Sequence, residues 1–186
     1  MAISSAFFAT LSLIIFGIII TSVLSAAQQV VYAQKQQQKP VPTSLELNKL
    51  RIRSFVQEVL NKHNLTALDK YYSSNATQHN PATGQGIQGF KNFFVPFFLA
   101  FPDVRVTIEH ILAENSVVLV FLNWTGTHKG EFQGIPATNK LINMRTADLF
   151  RIGTNGKIVE KWDVVDSLSL LKQIGAITFN QSNTKR

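Results

Sequence analysis

Cysteine is absent, so neither a disulfide nor a thiolate metal site contributes to this chain. Phosphate-loop and dinucleotide fingerprints are absent too, as is the Gly-x-Ser-x-Gly turn of serine hydrolases. The four histidines have no spacing, to each other or to carboxylates, that suits a metal ion. No cofactor is therefore expected. No block interleaves Lys or Arg with aromatic residues, which argues against a nucleic-acid partner. The net charge of +7 does not reverse this. Lys35, Lys39, Lys185 and Arg186 lie in polar ends, and 14 basic against 11 acidic residues remain between them.

Charge is also missing from residues 1–34. Within them, Ala6 to Leu24 is almost wholly apolar, and two small-residue sites follow, Ser25-Ala26-Ala27 and Val31-Tyr32-Ala33. Either site fits a signal-peptidase pattern. A cleaved signal peptide over 1–33 is the first expectation. An uncleaved anchor is the alternative, because roughly 20 apolar residues span a bilayer. Both put the protein outside the cytoplasm, secreted or held at a membrane by this segment alone. Lys35 and Lys39 weigh the other way through the positive-inside rule. A polar linker with two prolines covers 34–44, one folded domain 45–176, and a polar tail 177–186. Asn-x-Ser/Thr sequons occur at Asn64, Asn75, Asn123 and Asn180, but Asn123 falls within a strand pattern.

In the domain, Ser44 suits an N-cap, and Leu47, Leu50, Phe55, Val59 and Leu60 outline one face of a helix reaching about Lys62. A second helix is expected over Thr66–Tyr72, then a short extended piece, Ala76–Asn80, stopped by Pro81. Phe90, Phe93, Phe94, Phe97, Phe98 and Phe101 then recur at helical spacing. Such a stripe seals a core, or some of its rings line a cavity. Four strands follow, Val104–Ala113, Val117–His128, Lys140–Ile152 and Lys157–Val165, and a short helix from Ser167 ends at Gly175. Asn155-Gly156 suits the turn between the last two strands. Helices followed by long antiparallel strands make an α+β fold, with a curved sheet and a pocket at its wide end.

The third strand presents Ile142, Met144, Thr146, Asp148, Phe150 and Ile152 on one face, and Asp148 is its one charge. A carboxylate on an apolar face is paired, protonated or used, because leaving it bare is costly. A salt bridge to Arg145 is the structural alternative. Trp124, Gly126 and His128 share a face with Val118, Val120 and Leu122, where a Trp and a His can stack on and hydrogen-bond a ligand, or serve as core Trp and rim His. Gln78-His79-Asn80-Pro81 offers three hydrogen-bonding side chains, of which at most two share a face; Asn80 also suits an Asx turn. Phe94, Phe97, Met144 and Trp162 are apolar candidates for substrate contact. Asp166 suits an N-cap for the last helix.

Four segments carry a wider resemblance: Gln78–Pro81; Thr125–Pro136; Asp148-Leu149-Phe150-Arg151; and Gly156–Asp166. Together, in this order, they resemble the SnoaL-like polyketide cyclase (ester cyclase) family of the nuclear transport factor 2 superfamily, over residues 46–176. The resemblance implies a cone-shaped curved antiparallel sheet, packed with N-terminal helices around a deep apolar pocket. It implies cofactor- and metal-free intramolecular aldol chemistry, with Asp148 as acid/base and His79 and His128 at motif positions. Trp124, Gln78 and Asn80 carry over as pocket lining. The implied ligand is a small hydrophobic carbonyl compound, and a homodimer is compatible with the family. An exported, non-catalytic binding module with the same pocket is the alternative, because fold does not fix function.

Overall fold

The computed structural model describes residues 26, 28–31 and 43–178. Residues 26 and 28–31 are helical and belong to a separate unit, Met1–Val41. The rest of the expected signal or anchor segment, the linker up to residue 42 and the tail beyond 178 lie outside the described residues. Among the described residues no helix is long and apolar enough to cross a membrane.

Thr43, one residue before the expected cap, accepts a hydrogen bond from the Glu46 amide and starts α1 (Ser44–Phe55). Its last turn widens into a π-helix, Val56–Asn61. The buried side chains here are Ile52, Phe55, Val56, Val59 and Leu60, whereas Leu47 and Leu50 are half exposed. The apolar face therefore begins a turn later than the leucine spacing suggests. A 3-10 turn, Leu65–Ala67, leads into α2 (Leu68–Tyr71).

The piece after α2 is longer than the sequence suggests and forms a strand, β1 (Tyr72–Gln78). The α3 helix (Gly86–Ala100) follows, with Phe90, Phe97 and Phe98 buried. Then come β2 (Arg105–Glu114), β3 (Val117–Thr127), β4 (Leu141–Ile152), β5 (Ile158–Val165) and α4 (Ser167–Ile174). Asp166 caps α4 through the Ser169 amide, and Gly175 ends it at φ +82°.

The sheet order is β1-β5-β4-β3-β2. Only β1–β5 is parallel; the other three pairs are antiparallel. The sheet is curved and does not close, and its helices pack on it in an α+β plan. In the β4–β5 loop only Gly156 takes positive φ (+76°); Asn155 instead accepts from the Lys157 amide. A β-bulge interrupts β5: Ile152 faces Ile158, but Arg151 faces Glu160 and Phe150 faces Lys161. One extra residue on β5 reverses which side chains point inward from there on.

Candidate functional site

The inner face of β4 is buried along its whole length, from Ile142 to Ile152. Asp148 lies in its middle, 5 % exposed, opposite Val120 on β3 and Asp163 on β5. Two carboxylates directly opposite each other repel. Lys161, brought inward by the bulge, relieves this: its Nζ lies 2.9 Å from Asp163 Oδ1 and 3.9 Å from Asp148 Oδ1. Asn80 Nδ2 donates to Asp163 Oδ2 at 2.6 Å, while Asn80 Oδ1 accepts from the Ala82 amide. The Asx turn and the site contact are therefore two ends of one side chain. Trp124 Nε1 donates to Thr146 Oγ1 at 3.1 Å, which fixes the indole and leaves the Thr146 hydroxyl proton free to serve Asp148.

These groups open into a cavity of about 150 Å³ with an open mouth. Phe90, Phe93, Phe94 and Phe97 of α3 form one wall with Trp124 and Met144. Phe94 lies near parallel to the indole, with ring centres 6.2 Å apart, and Phe97 meets it edge-on. Leu170 and Leu171 of α4 line another side, and Phe132 and Gln133 of the β3–β4 loop line it too. Mostly apolar walls with a few convergent polar groups describe a small-molecule site.

Burial pushes Asp148 up to about 6; the Asp163 charge adds to this, and Lys161 and Thr146 oppose it. Removing a carboxylate from water disfavours its charged form more than the off-centre ammonium restores it. Tyr72 and Gln78 of β1 are buried, and neither the Tyr72 hydroxyl nor the Gln78 side-chain amide has an aligned hydrogen-bond partner. Tyr72 is pushed well up by burial and by the Asp148 and Asp163 charges.

Trp124, Asn80, Phe94, Phe97 and Met144 thus line the cavity with Asp148, whereas four other candidates do not. Gln78 is buried outside the lining. His79 stacks on Trp162 at 4.4 Å and pairs with Glu160, partly exposed. Trp162 leaves the site because the bulge turns it outward, across from Leu149. His128 is fully buried but sits just past the end of β3, stacked on Phe101 with Nδ1 3.0 Å from Thr138. Eight residues separate it from Val120, or about 26 Å of extended strand. Burial lowers its pKa. Arg145, the alternative partner for Asp148, pairs with Glu109 instead. Lys161 and Asp163 are the members that simple alternation misses. The adjacent apolar pair Ile158-Val159, where alternation should hold, is the sequence trace of the bulge. Among the described residues no group of three or more His, Asp or Glu could hold a metal ion.

The model of the SnoaL-like polyketide cyclase family matches residues 50–174, and the chain belongs to that family. No curated protein matches it significantly. Solved structures superpose over most of it. TsrD from Streptomyces laurentii is 23% identical, with 73% of this chain and 100% of that one covered at a TM-score of 0.66. AclR from Streptomyces galilaeus, described as a proposed hydroxylase, is 25% identical over the same shares at 0.66. A proposed polyketide cyclase from Acidithiobacillus ferrooxidans is 26% identical, covering 74% and 100% at 0.63.

Proposed function

We propose that the protein is a cofactor-independent cyclase or isomerase acting on a hydrophobic carbonyl compound, with Asp148 as acid/base. The observation that carries this is a buried carboxylate, pushed up to about 6, at the polar end of an aromatic-lined cavity. Family membership supports cyclase- or isomerase-type function in general.

At neutral pH Asp148 is mostly ionised yet more basic than an ordinary carboxylate, which suits proton removal from carbon next to a carbonyl. The resulting enolate attacks a second carbonyl of the same folded substrate, forming a carbon–carbon bond. The new alkoxide takes the proton back from Asp148, so the acid ends as it began. Loss of water then completes a condensation. The phenylalanine wall and Trp124 hold a flat substrate so that its two ends meet, which lowers the entropic part of the barrier. Export through the N-terminal segment belongs to this proposal, and N-terminal sequencing of the mature protein tests it.

The reaction test is exchange of the acidic C–H of a polycyclic β-diketone for deuterium, followed by NMR. The wild-type protein should accelerate exchange, and Asp148→Asn should lower the acceleration about 10²–10⁴-fold while still quenching tryptophan fluorescence on binding. Full exchange in Asp148→Asn would sink the general-base role. Quenching without acceleration in the wild type would move the protein to the binding-module reading.

A further inference from the structure

Lys161 is more than a counter-ion. Its side chain is 11 % exposed and faces the cavity. Asp163 is on its own strand, Asp148 and the Phe150 ring come from β4, and Asn80 approaches through Asp163. Gln78 is its neighbour in the β1–β5 register. Asp163 Oδ1 is 2.9 Å away but out of hydrogen-bonding alignment, and Asp148 Oδ1 at 3.9 Å is beyond hydrogen-bond reach. Among the described residues the ammonium therefore has ion-pair contacts and no aligned hydrogen bond. An ammonium carries three donors, and on the cavity wall they are available to a ligand oxygen. Neither of the two carboxylates beside it is aligned to accept from it.

We propose that Lys161 is the oxyanion-binding residue of the cavity, and that the site recognises ligands carrying an enol, enolate or acidic phenol oxygen on a flat aromatic frame. The proposal rests on the acid/base reading of Asp148. When Asp148 takes a proton it loses its charge, and one negative charge moves onto the substrate oxygen. The cluster before the step holds one ammonium and two carboxylates. After the step it holds one ammonium, one carboxylate and the new oxyanion, so total charge is conserved while the charge on Asp148 moves to where Lys161 can donate to it. Asp163, fixed by Asn80 and through it by the Ala82 amide, is the positioning residue that keeps the ammonium in place. A fixed donor that meets charge only as it develops favours the intermediate over the bound substrate.

Phenols test this without any turnover. Naphthol and a more acidic cyanonaphthol mimic the enol, and their absorption separates the neutral from the ionised form. Asp148→Asn imitates the protonated acid of the intermediate. It should bind the naphthols as naphtholates, with the bound apparent pKa below that in free solution. Adding Lys161→Met to that variant should abolish the ionised band and weaken binding at least tenfold, while Lys161→Arg should retain it in part. In the otherwise wild-type chain, Lys161→Met should slow C–H exchange about 10²-fold. Lys161→Met leaves Asp163 without its counter-ion, so the double change Lys161→Met/Asp163→Asn serves as the folded control and should show the same loss. An undiminished naphtholate band in either variant lacking Lys161 would overturn the proposal. So would reduction of a bound ketone onto Lys161 by borohydride, which would make the amine a nucleophile. If instead Asp148→Asn keeps full exchange but binds naphtholate through Lys161, the acid/base reading fails and the oxyanion site stands.

Discussion

Asp148 shows how one residue couples stability to pH. Its carboxyl moves from an ordinary 3.8 to about 6 in the folded chain. Below the ordinary value it is protonated whether folded or not, and its burial carries no charge penalty. As pH rises towards 6 the unfolded chain ionises first, so the folded state loses stability through that window. Above about 6 the loss is constant, on the order of 3 kcal/mol for a shift of about two units. His63 and His128 work in the opposite direction: burial lowers both, so each withdraws stability as pH falls through their ordinary 6.5. The total curve mixes the two effects, but the difference between Asp148→Asn and wild type does not. That difference, from urea unfolding, should be smallest near pH 4 and grow in favour of the variant by up to about 3 kcal/mol at pH 7. A flat difference would mean that Asp148 titrates normally. Asp148 was legible in the sequence because a charge stands out on an alternating apolar strand. Lys161 and Asp163 were not, because a single inserted residue in β5 exchanges the inward and outward sets.

At the scale of elements, the contact between α3 and the loop before it is set by glycine. A Cβ on Gly89 would lie 1.8 Å from the backbone of Gly84. That loop carries Asn80, Ala82 and Thr83 into the cavity, and α3 carries the phenylalanine wall. Gly89→Ala must therefore push the two apart. It should cost about 1–3 kcal/mol, read as a lower Tm, and should weaken naphthol binding as Asn80 moves off Asp163. Gly134 is the contrast: its φ is +80°, but nothing lies within 4 Å of the added carbon. Gly134→Ala should cost only the strain of that backbone, about 1 kcal/mol. Equal melting of the two variants would mean that α3 and the loop are not locked. Strands β3 and β4 and the phenylalanine helix were legible because each keeps its period for ten residues or more, and β5 because a Gly-rich turn and an apolar run mark its start. The β1 strand was not: Tyr72–Gln78 is polar outside Tyr72 and Ala76, and its parallel pairing with β5 is a long-range event that leaves no local pattern.

At the scale of the molecule, the buried apolar core of the described residues runs from Ile52 to Ile174. Residues 42–186 form one compact unit and residues 1–41 another. A domain of this length closes a hydrophobic core without help from a disulfide or a metal. The described lining of the cavity, with Asp148, Lys161 and Asp163, belongs to this unit. A chain of residues 43–178 should therefore unfold in one cooperative urea transition, at a midpoint close to that of the full chain. Its net charge should fall from +7 to +3, because Lys35, Lys39, Lys185 and Arg186 go with the ends. Loss of charge from the ends changes solubility and adhesion to anionic surfaces more than it changes the fold. Naphthol affinity is the sharper reading, because the described lining of the cavity, from Phe55 to Leu171, stays in the shorter chain. Unchanged affinity with a cooperative transition is the expected result. A broadened transition, or affinity lost with the N-terminal 42 residues, would show that these residues complete the domain.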